Sequence, residues 1–301
     1  MTQSPKGSET VSAFIYKLET HEDLNPKTIK GYASDLRHFV EWFETSMFQE
    51  ETVTFQIEDV ATPTLTRYRE TMQKKMKLKP TTINRRLVTI KRFFEWASDT
   101  GLIKRDPAKP VKLVPEEKTS PRQMSEREEA ALIAAAEHHG TLRDQTLLIL
   151  MLHTGLRTME ICDLAPSDIL LGKRSGQLTV NAGKRNKQRE VPLNATCRAI
   201  LERYLMELPK QAPFLFPSEK TGERLGERAI RHLVQKYMKL ARLEGFSAHD
   251  LRHRFGYVMA ENTPLHRLAQ IMGHDSLDTT MIYVKATKAD LQSEVEKRAW
   301  Q

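Results

Sequence analysis

The sequence predicts a mainly α protein with one small antiparallel sheet, arranged as two units and a linker. Three observations carry this expectation. Apolar residues recur at helical spacing along most of the chain. Two short apolar segments, 177–181 and 188–193, flank the basic stretch GKRNKQRE and read as a hairpin. Between 106 and 122 the chain carries Pro107, Pro110, Pro115 and Pro121 among charges, a composition that blocks regular pairing and stiffens the path. A length of 301 residues also suits two domains better than one.

Residues 1–105 read as a helical unit. Val11, Phe14, Ile15 and Leu18 lie on one helical face. Asn25-Pro26 supplies an N-cap with proline at the first helical position, and Ile29, Tyr32, Leu36, Phe39, Val40 and Phe43 line the helix behind it. A third helix is expected from Pro63 to Lys77. A fourth starts after Lys79-Pro80, buries Ile83, Leu87, Ile90, Phe93, Phe94 and Ala97, and stops at Gly101. The aromatics of these stripes are assigned to the core rather than to base stacking. Residues 106–122 are expected to form an extended linker.

The second unit, 123–301, opens at Ser125-Glu126-Arg127-Glu128, which has capping-box spacing. An apolar helix follows over Leu142–His153, then the hairpin, then helices near 195–208, 227–243, 249–260 and 264–272. A tail helix from about 287 carries Leu291, Val295 and Trp300 as a small apolar stripe.

Composition narrows the function classes. No apolar run approaches the roughly 20 residues that span a bilayer, and the first ten residues lack the apolar core of a signal peptide. A cytoplasmic protein without membrane partners is expected. Cys162 and Cys197 have no CxxC spacing, so neither a disulfide framework nor a cysteine zinc site is indicated. The net charge of +8 and the pI near 9.4 suit a polyanion. The bases are also clustered: from Arg67 to Arg92 there are ten, with Glu70 as the one acid. Such a stretch repels itself unless a polyanion relieves it, and DNA binding is favoured over a merely solvated face.

Four stretches carry chemistry: TGLRTMEICDL with Arg157, NAGKRNKQREVPL with Lys184, HDLRHRFG with His249 and Arg252, and MGHDSLDTTMIYVK with His274 and Tyr283. Cleavage of a phosphodiester by a side chain needs an oxygen nucleophile, and tyrosine can be one. It needs cationic donors on the non-bridging oxygens, which planar arginine forks supply. It also needs a proton donor for the departing sugar oxygen, for which lysine or histidine serves. Arg157, Lys184, His249, Arg252, His274 and Tyr283 make up that set. Taken singly, each has a plainer reading: a packed tyrosine, a helix-capping arginine, a solvated turn lysine. Their joint occurrence carries the case. A metal site on His249, His253 and His274 is disfavoured, because the i,i+4 histidine pair lacks the glutamate of HExxH.

In order and local context these stretches resemble the boxes of the tyrosine recombinase, or phage integrase, family, particularly its small Xer-like and transposon-resolvase-like members. TGLR with Glu160 three residues after Arg157 resembles the first arginine box. The lysine hairpin ending in VPL, the HDLRH box, and GH followed nine residues later by Tyr283 resemble the other three. The resemblance covers nearly the whole chain and implies a helical core-binding domain plus a tyrosine-recombinase catalytic domain. It implies that Tyr283 attacks the scissile phosphate to give a 3′-phosphotyrosine and a free 5′-hydroxyl. Arg157 and Arg252 would clamp the phosphate. Lys184 would protonate the leaving oxygen, His249 would assist proton transfer from Tyr283, His274 would bond the phosphate, and Glu160 would orient its neighbours. Arg189 and Lys187 stand as alternative hairpin donors, and Met272 and Arg185 depart from the family's usual leucine and glycine. No cofactor or metal is implied, since the phosphotyrosine conserves the bond energy.

The resemblance further implies a clamp on double-stranded DNA. Lys27, Lys30, Arg37, Arg85, Arg86 and Lys91 of the first unit, and Arg228, Arg231 and Lys236 of the helix GERAIRHLVQKYMKLA, would face the duplex. The expected assembly on a specific recombination site is a homo-tetramer, with or without a sister recombinase, whose tails link neighbouring protomers. Exchange through a Holliday junction would serve integration, excision, or resolution of mobile or multimeric DNA. The alternatives are a type IB topoisomerase-like enzyme and a DNA-binding regulator that does not cut.

Overall fold

In the computed structural model, which describes residues 5–46, 54–116, 122–182, 187–284 and 296, the first unit is helical. Helix α1 (Pro5–His21) packs on α2 (Pro26–Ser46), and α2 on α4 (Pro80–Asp99). Helix α3 (Thr62–Glu70) runs on into a wider turn, Thr71–Lys75. The stripes read from periodicity are the buried faces: Phe14, Leu36, Phe39, Phe43, Ile83, Leu87, Phe93 and Phe94 are all essentially inaccessible. Phe39 meets Tyr68, Phe55 and Phe94 edge-on, with centroids 5.1, 5.9 and 6.2 Å away. These rings build the core, and none of them is presented for base stacking. Lys79 is the N-cap of α4, so Pro80 takes the first helical position, where its missing N–H costs nothing.

Part of the segment read as an extended linker is packed against the first unit. Residues 106–116 are docked on the first unit, and the chain divides between Lys118 and Thr119. Ala108, Val111 and Val114 are buried in the helical core. Because proline and irregular backbone leave carbonyls without partners, side chains supply them. Asn84 both donates to the Val114 carbonyl and accepts from its N–H, each at 2.8 Å. Lys91 Nζ donates to the carbonyls of Ala108 and Lys109 at 2.7 and 3.1 Å. Apolar residues between the prolines make the segment a strap rather than a tether.

The second unit opens with α5 (Glu126–His139), whose Ser125–Glu128 capping box is formed in both directions. Its centre is α6 (Leu142–Thr154), packed against α5, α8 (Ala195–Glu207) and α10 (Ala248–Ala260). Leu147, Leu148, Leu150, Met151 and Leu152 of α6 are buried on all sides, as its continuous apolar run requires. Helix α7 (Thr158–Asp163) leads to an antiparallel sheet in the order β1 (Ile169–Leu171), β2 (Gly176–Ala182), β3 (Lys187–Pro192). The β2–β3 pairing sets Val180 opposite Arg189. Strand β1 was not expected. Helices α9 (Glu227–Leu240), α11 (Leu265–Met272) and the short α12 (Leu277–Met281) complete the unit. No helix among the described residues is long and apolar enough to cross a membrane. The expected tail helix from about 287 lies outside the described residues.

Candidate active site

Two helix ends define the floor of the site. Helix α6 stops at Gly155, whose φ of +63° is the left-handed conformation that releases the chain toward Arg157. Helix α11 stops the same way at Gly273 (φ +66°), and the His274 N–H bonds back to the Ala269 carbonyl at 3.0 Å. Arg252, on α10, lies between these ends with 3 % of its surface exposed. Its Nη1 donates to the Gly155 carbonyl, and its Nη2 to the Met272 carbonyl at 2.9 Å. Helix C-termini carry partial negative charge, so this is where a buried cation is tolerated. Burial, and then the neighbouring Arg157, still lower its pKa to about 10, which leaves the guanidinium charged at neutral pH.

Arg157 is the N-cap of α7 and keeps nearly half of its side chain exposed. Its Nη2 donates to the Gly273 carbonyl at 2.7 Å, which ties the first arginine box to the last. Its Nη1 and its backbone N–H both donate to Glu160, at 3.0 and 2.7 Å. The other side of Glu160 receives a two-pronged contact from Arg189 on β3, at 2.8 and 2.9 Å. Arg189 Nε also donates to the Ile271 carbonyl at 3.0 Å. Burial opposes the charge on Glu160, but the bonds from Arg189 and Arg157 outweigh it and hold its pKa below the ordinary carboxylate value. Arg189, read from sequence as an alternative hairpin donor, is a half-buried strut joining β3, α7 and α11. Its guanidinium is fully engaged, and only its placement in the fold reveals this.

Tyr283 follows α12 and is 5 % exposed. Its ring runs nearly parallel to that of His274, 6.4 Å away with a 16° tilt, and meets Tyr257 edge-on at 5.2 Å. His274 in turn shares a 2.7 Å hydrogen bond between Nδ1 and Thr280 Oγ1. Burial, then Arg252, pulls the His274 pKa down to about 4, so the ring is neutral at pH 7. Burial raises the phenol pKa of Tyr283, while Arg252 acts in the opposite sense. The partner of the phenol is not His249, the expected one. Tyr283 Oη lies 3.1 Å from Nδ1 of His253, one helical turn further along α10. His249 is exposed and touches His253 ring to ring, with centroids at 4.4 Å and 77° between planes. In the sequence, His253 figures only as a disfavoured metal ligand. The i,i+4 spacing of the two histidines was the available signal. Among the described residues, no three histidine, cysteine or acidic side chains converge as a metal site.

Arg157, Arg252, His274 and Tyr283, with Glu160, are thus brought together, with His249 at the edge. Lys184 and the hairpin tip lie outside the described residues, as does the side chain of Lys187. The residues expected to face DNA divide into two groups. Lys27, Lys30 and Arg37 of α2 and Arg228, Arg231 and Lys236 of α9 are exposed. Arg231 pairs with Glu227 at 2.5 Å, and the Lys236 ammonium lies 4.7 Å from the centre of the Tyr237 ring. Arg85 is exposed but anchored by Nη1, 2.5 Å from the buried Asp35. Arg86 is 17 % exposed and contacts His38 Nε2 at 2.8 Å. Lys91 holds the strap.

Comparison with known proteins gives the family. Residues 122–290 match the phage integrase family, and residues 11–101 match the phage integrase N-terminal SAM-like domain. Tyrosine recombinase XerC of Pelobacter propionicus is 30 % identical over 297 residues, covering 96 % of this chain and 94 % of that protein. Tyrosine recombinase XerD of Ralstonia nicotianae is 28 % identical over 302 residues, with 96 % and 93 % covered. The fold is shared with the Tn1549 transposon integrase in complex with a circular intermediate DNA (TM-score 0.77, 18 % identity, 96 % and 99 % covered). It is shared also with XerH site-specific recombinase bound to difH substrate (TM-score 0.74, 21 % identity, 99 % and 86 % covered). Boxes that are far apart in sequence, interlocked through the carbonyls of two helix ends, thus sit in a chain related along nearly its whole length to Xer proteins: it belongs to the phage integrase family and is a tyrosine recombinase, an enzyme of site-specific DNA recombination.

Proposed function

We propose that this chain cleaves and rejoins DNA by attack of Tyr283 on the scissile phosphate. The step forms the Oη–P bond, releases the 5′-oxygen and leaves a 3′-phosphotyrosine. Arg157 and Arg252 neutralise the non-bridging oxygens, His274 donates a hydrogen bond to one of them, and His249 handles the tyrosine proton. Lys184, whose place in the chain falls between β2 and β3, is assigned the proton for the departing 5′-hydroxyl from its motif alone. Glu160 orients Arg157. The observation that carries the reading is the mutual bonding of distant boxes. Arg157 reaches the Gly273 carbonyl and Arg252 reaches those of Gly155 and Met272, so two guanidiniums and His274 surround one spot beside Tyr283.

DNA is the partner, met by the exposed bases of α2 and α9 and by Arg85. The DNA-bound state of the Tn1549 and XerH structures supports this. The working form is a homo-tetramer on a specific site in the cytoplasm, exchanging strands through a Holliday junction to integrate, excise or resolve mobile or multimeric DNA. The test uses supercoiled plasmids carrying DNA from the chain's own genetic neighbourhood, with EDTA present. Denaturation should reveal protein joined to a 3′ DNA end, and Tyr283→Phe should abolish the adduct. Tight site-specific binding without any adduct would overturn the cleavage reading in favour of a regulator.

A further inference from the structure

The Tyr283 side chain rests against protein, with its hydroxyl engaged by a neighbouring histidine. Tyr283 is 5 % exposed, and its hydroxyl is turned to His253, itself only 8 % exposed. Gly256 opens the seat for the ring: a Cβ there would lie 2.5 Å from Tyr283 Cζ. Tyr257 closes one edge and His274 one face. To bond a phosphate, the hydroxyl must give up its contact with His253. Among the described residues that hydroxyl bonds His253 Nδ1, and a buried hydroxyl without a partner is costly.

We infer that His253 is a positioning residue for the nucleophile: its imidazole holds the Tyr283 hydroxyl in the buried seat and so sets how often the tyrosine is free to meet the phosphate. The inference rests on Tyr283 being the nucleophile. Burial, followed by the neighbouring His249, lowers the His253 pKa to about 4, so at neutral pH the ring is uncharged and a poor acceptor of the phenol's proton. That chemistry suits a latch and disfavours a base. Either tautomer of the neutral ring makes the bond, since the hydroxyl can donate or accept.

The test compares His253→Phe, which fills the space without an acceptor, with His253→Asn, whose Oδ1 keeps one near Nδ1. The probe is a nicked duplex carrying the cleavage site recovered with the wild-type protein, scored for single-turnover adduct formation. Loss of the bond that holds the resting state should speed adduct formation about tenfold in His253→Phe, with the rate largely restored in His253→Asn. A second reading needs no variant of His253. With 3-fluorotyrosine incorporated and the Tyr283 resonance assigned by loss in Tyr283→Phe, the fluorine signal of the free wild-type protein should be protected from a soluble gadolinium chelate. It should become accessible in His253→Phe. Slower or unchanged adduct formation in a folded His253→Phe overturns the inference, and so does an accessible wild-type signal. If Tyr283→Phe still forms the adduct, the nucleophile assignment itself falls. If Tyr283→Phe is inactive and His253→Phe behaves as wild type, only the latch falls.

Discussion

Replacing Glu160 by glutamine isolates the strut beneath the arginine site. The carboxylate accepts four hydrogen bonds: Oε1 from Arg157 Nη1 and Arg189 Nη1, and Oε2 from the Arg157 N–H and Arg189 Nη2. A glutamine has one carbonyl oxygen, so it keeps two of these, while its amide confronts two N–H groups. Each lost bond to a charged group is worth about 1.5–3 kcal/mol. Part of the loss at Arg157 is recovered by water, because that side chain is 45 % exposed. The expected destabilisation of the catalytic unit is about 3 kcal/mol, in line with roughly 3–5 kcal/mol for breaking a buried pair. Amide hydrogen exchange, read peptide by peptide, gives the opening free energy of α6 and α10, with α2 and α4 of the other unit as the internal control. The effect should depend on pH in one direction. The folded pKa of Glu160 is depressed, so the wild-type advantage is complete above the unfolded value of about 4.3 and is lost as pH falls through the folded value. Adduct formation should fall as well, because Arg157 loses the contact that aims it. In the Glu160→Gln background, Arg189→Ala should cost much less than it does alone. A Glu160→Gln protein within about 0.5 kcal/mol of wild type at pH 7, outside the additivity error, would refute the assignment of Glu160 and Arg189 as a buried strut.

Two further outcomes follow from backbone geometry. Gly155→Ala places a methyl 2.3 Å from Phe255 Cδ1 at a φ of +63°; left-handed strain and overpacking together should cost about 2–4 kcal/mol, read by the same exchange experiment. Lys91→Met retains the aliphatic stem but removes the donor to the Ala108 and Lys109 carbonyls. Limited proteolysis within 106–116 should then accelerate several-fold while adduct chemistry on bound DNA is preserved, and an unchanged cleavage rate would mean that the apolar contacts alone hold the strap.

Much of the fold was legible because helices announce themselves with a 3.6-residue period. The stripes on α2 and α4 needed only Phe39, Phe43, Ile83, Leu87 and Phe94 in register, and Ser125 with Glu128 marked the start of α5. What escaped was either short or tertiary. Strand β1 spans Ile169–Leu171, too few residues for an alternating pattern, and it exists because Leu170 pairs with Gln177 on β2. Helix α12 is barely more than a turn. The docking of 106–116 depended on Asn84 and Lys91, residues of a helix read from sequence as facing DNA. Prolines report where regular pairing stops, and say nothing about whether an irregular segment finds donors elsewhere.

At the site, the motif letters gave the candidate reacting groups but not the joints that hold them. The pattern helix–Gly–x–Arg and the pattern helix–Gly–His look unrelated in sequence. In space each ends a helix at a left-handed glycine, and the carbonyls around those endings are the acceptors for the arginines: Gly155 and Met272 for Arg252, Gly273 for Arg157. A helix end with free carbonyls is an unsatisfied acceptor wherever it is buried. A buried guanidinium is an unsatisfied donor. Joining them resolves both debts and fixes two cations beside each other, where their mutual repulsion would otherwise drive them apart. An anion placed between them would relieve that repulsion, which supports the proposed role of the pair on a phosphate. Tyr283, which follows α12, packs against another side of α10. Arg252 and His253 are adjacent residues on one helix and so point in different directions. One is committed to the two helix ends and the other to the Tyr283 phenol. If Tyr283 is the nucleophile, as proposed, its hydroxyl exchanges the contact with His253 for the phosphate beside Arg252, and the bond to His253 opposes that exchange.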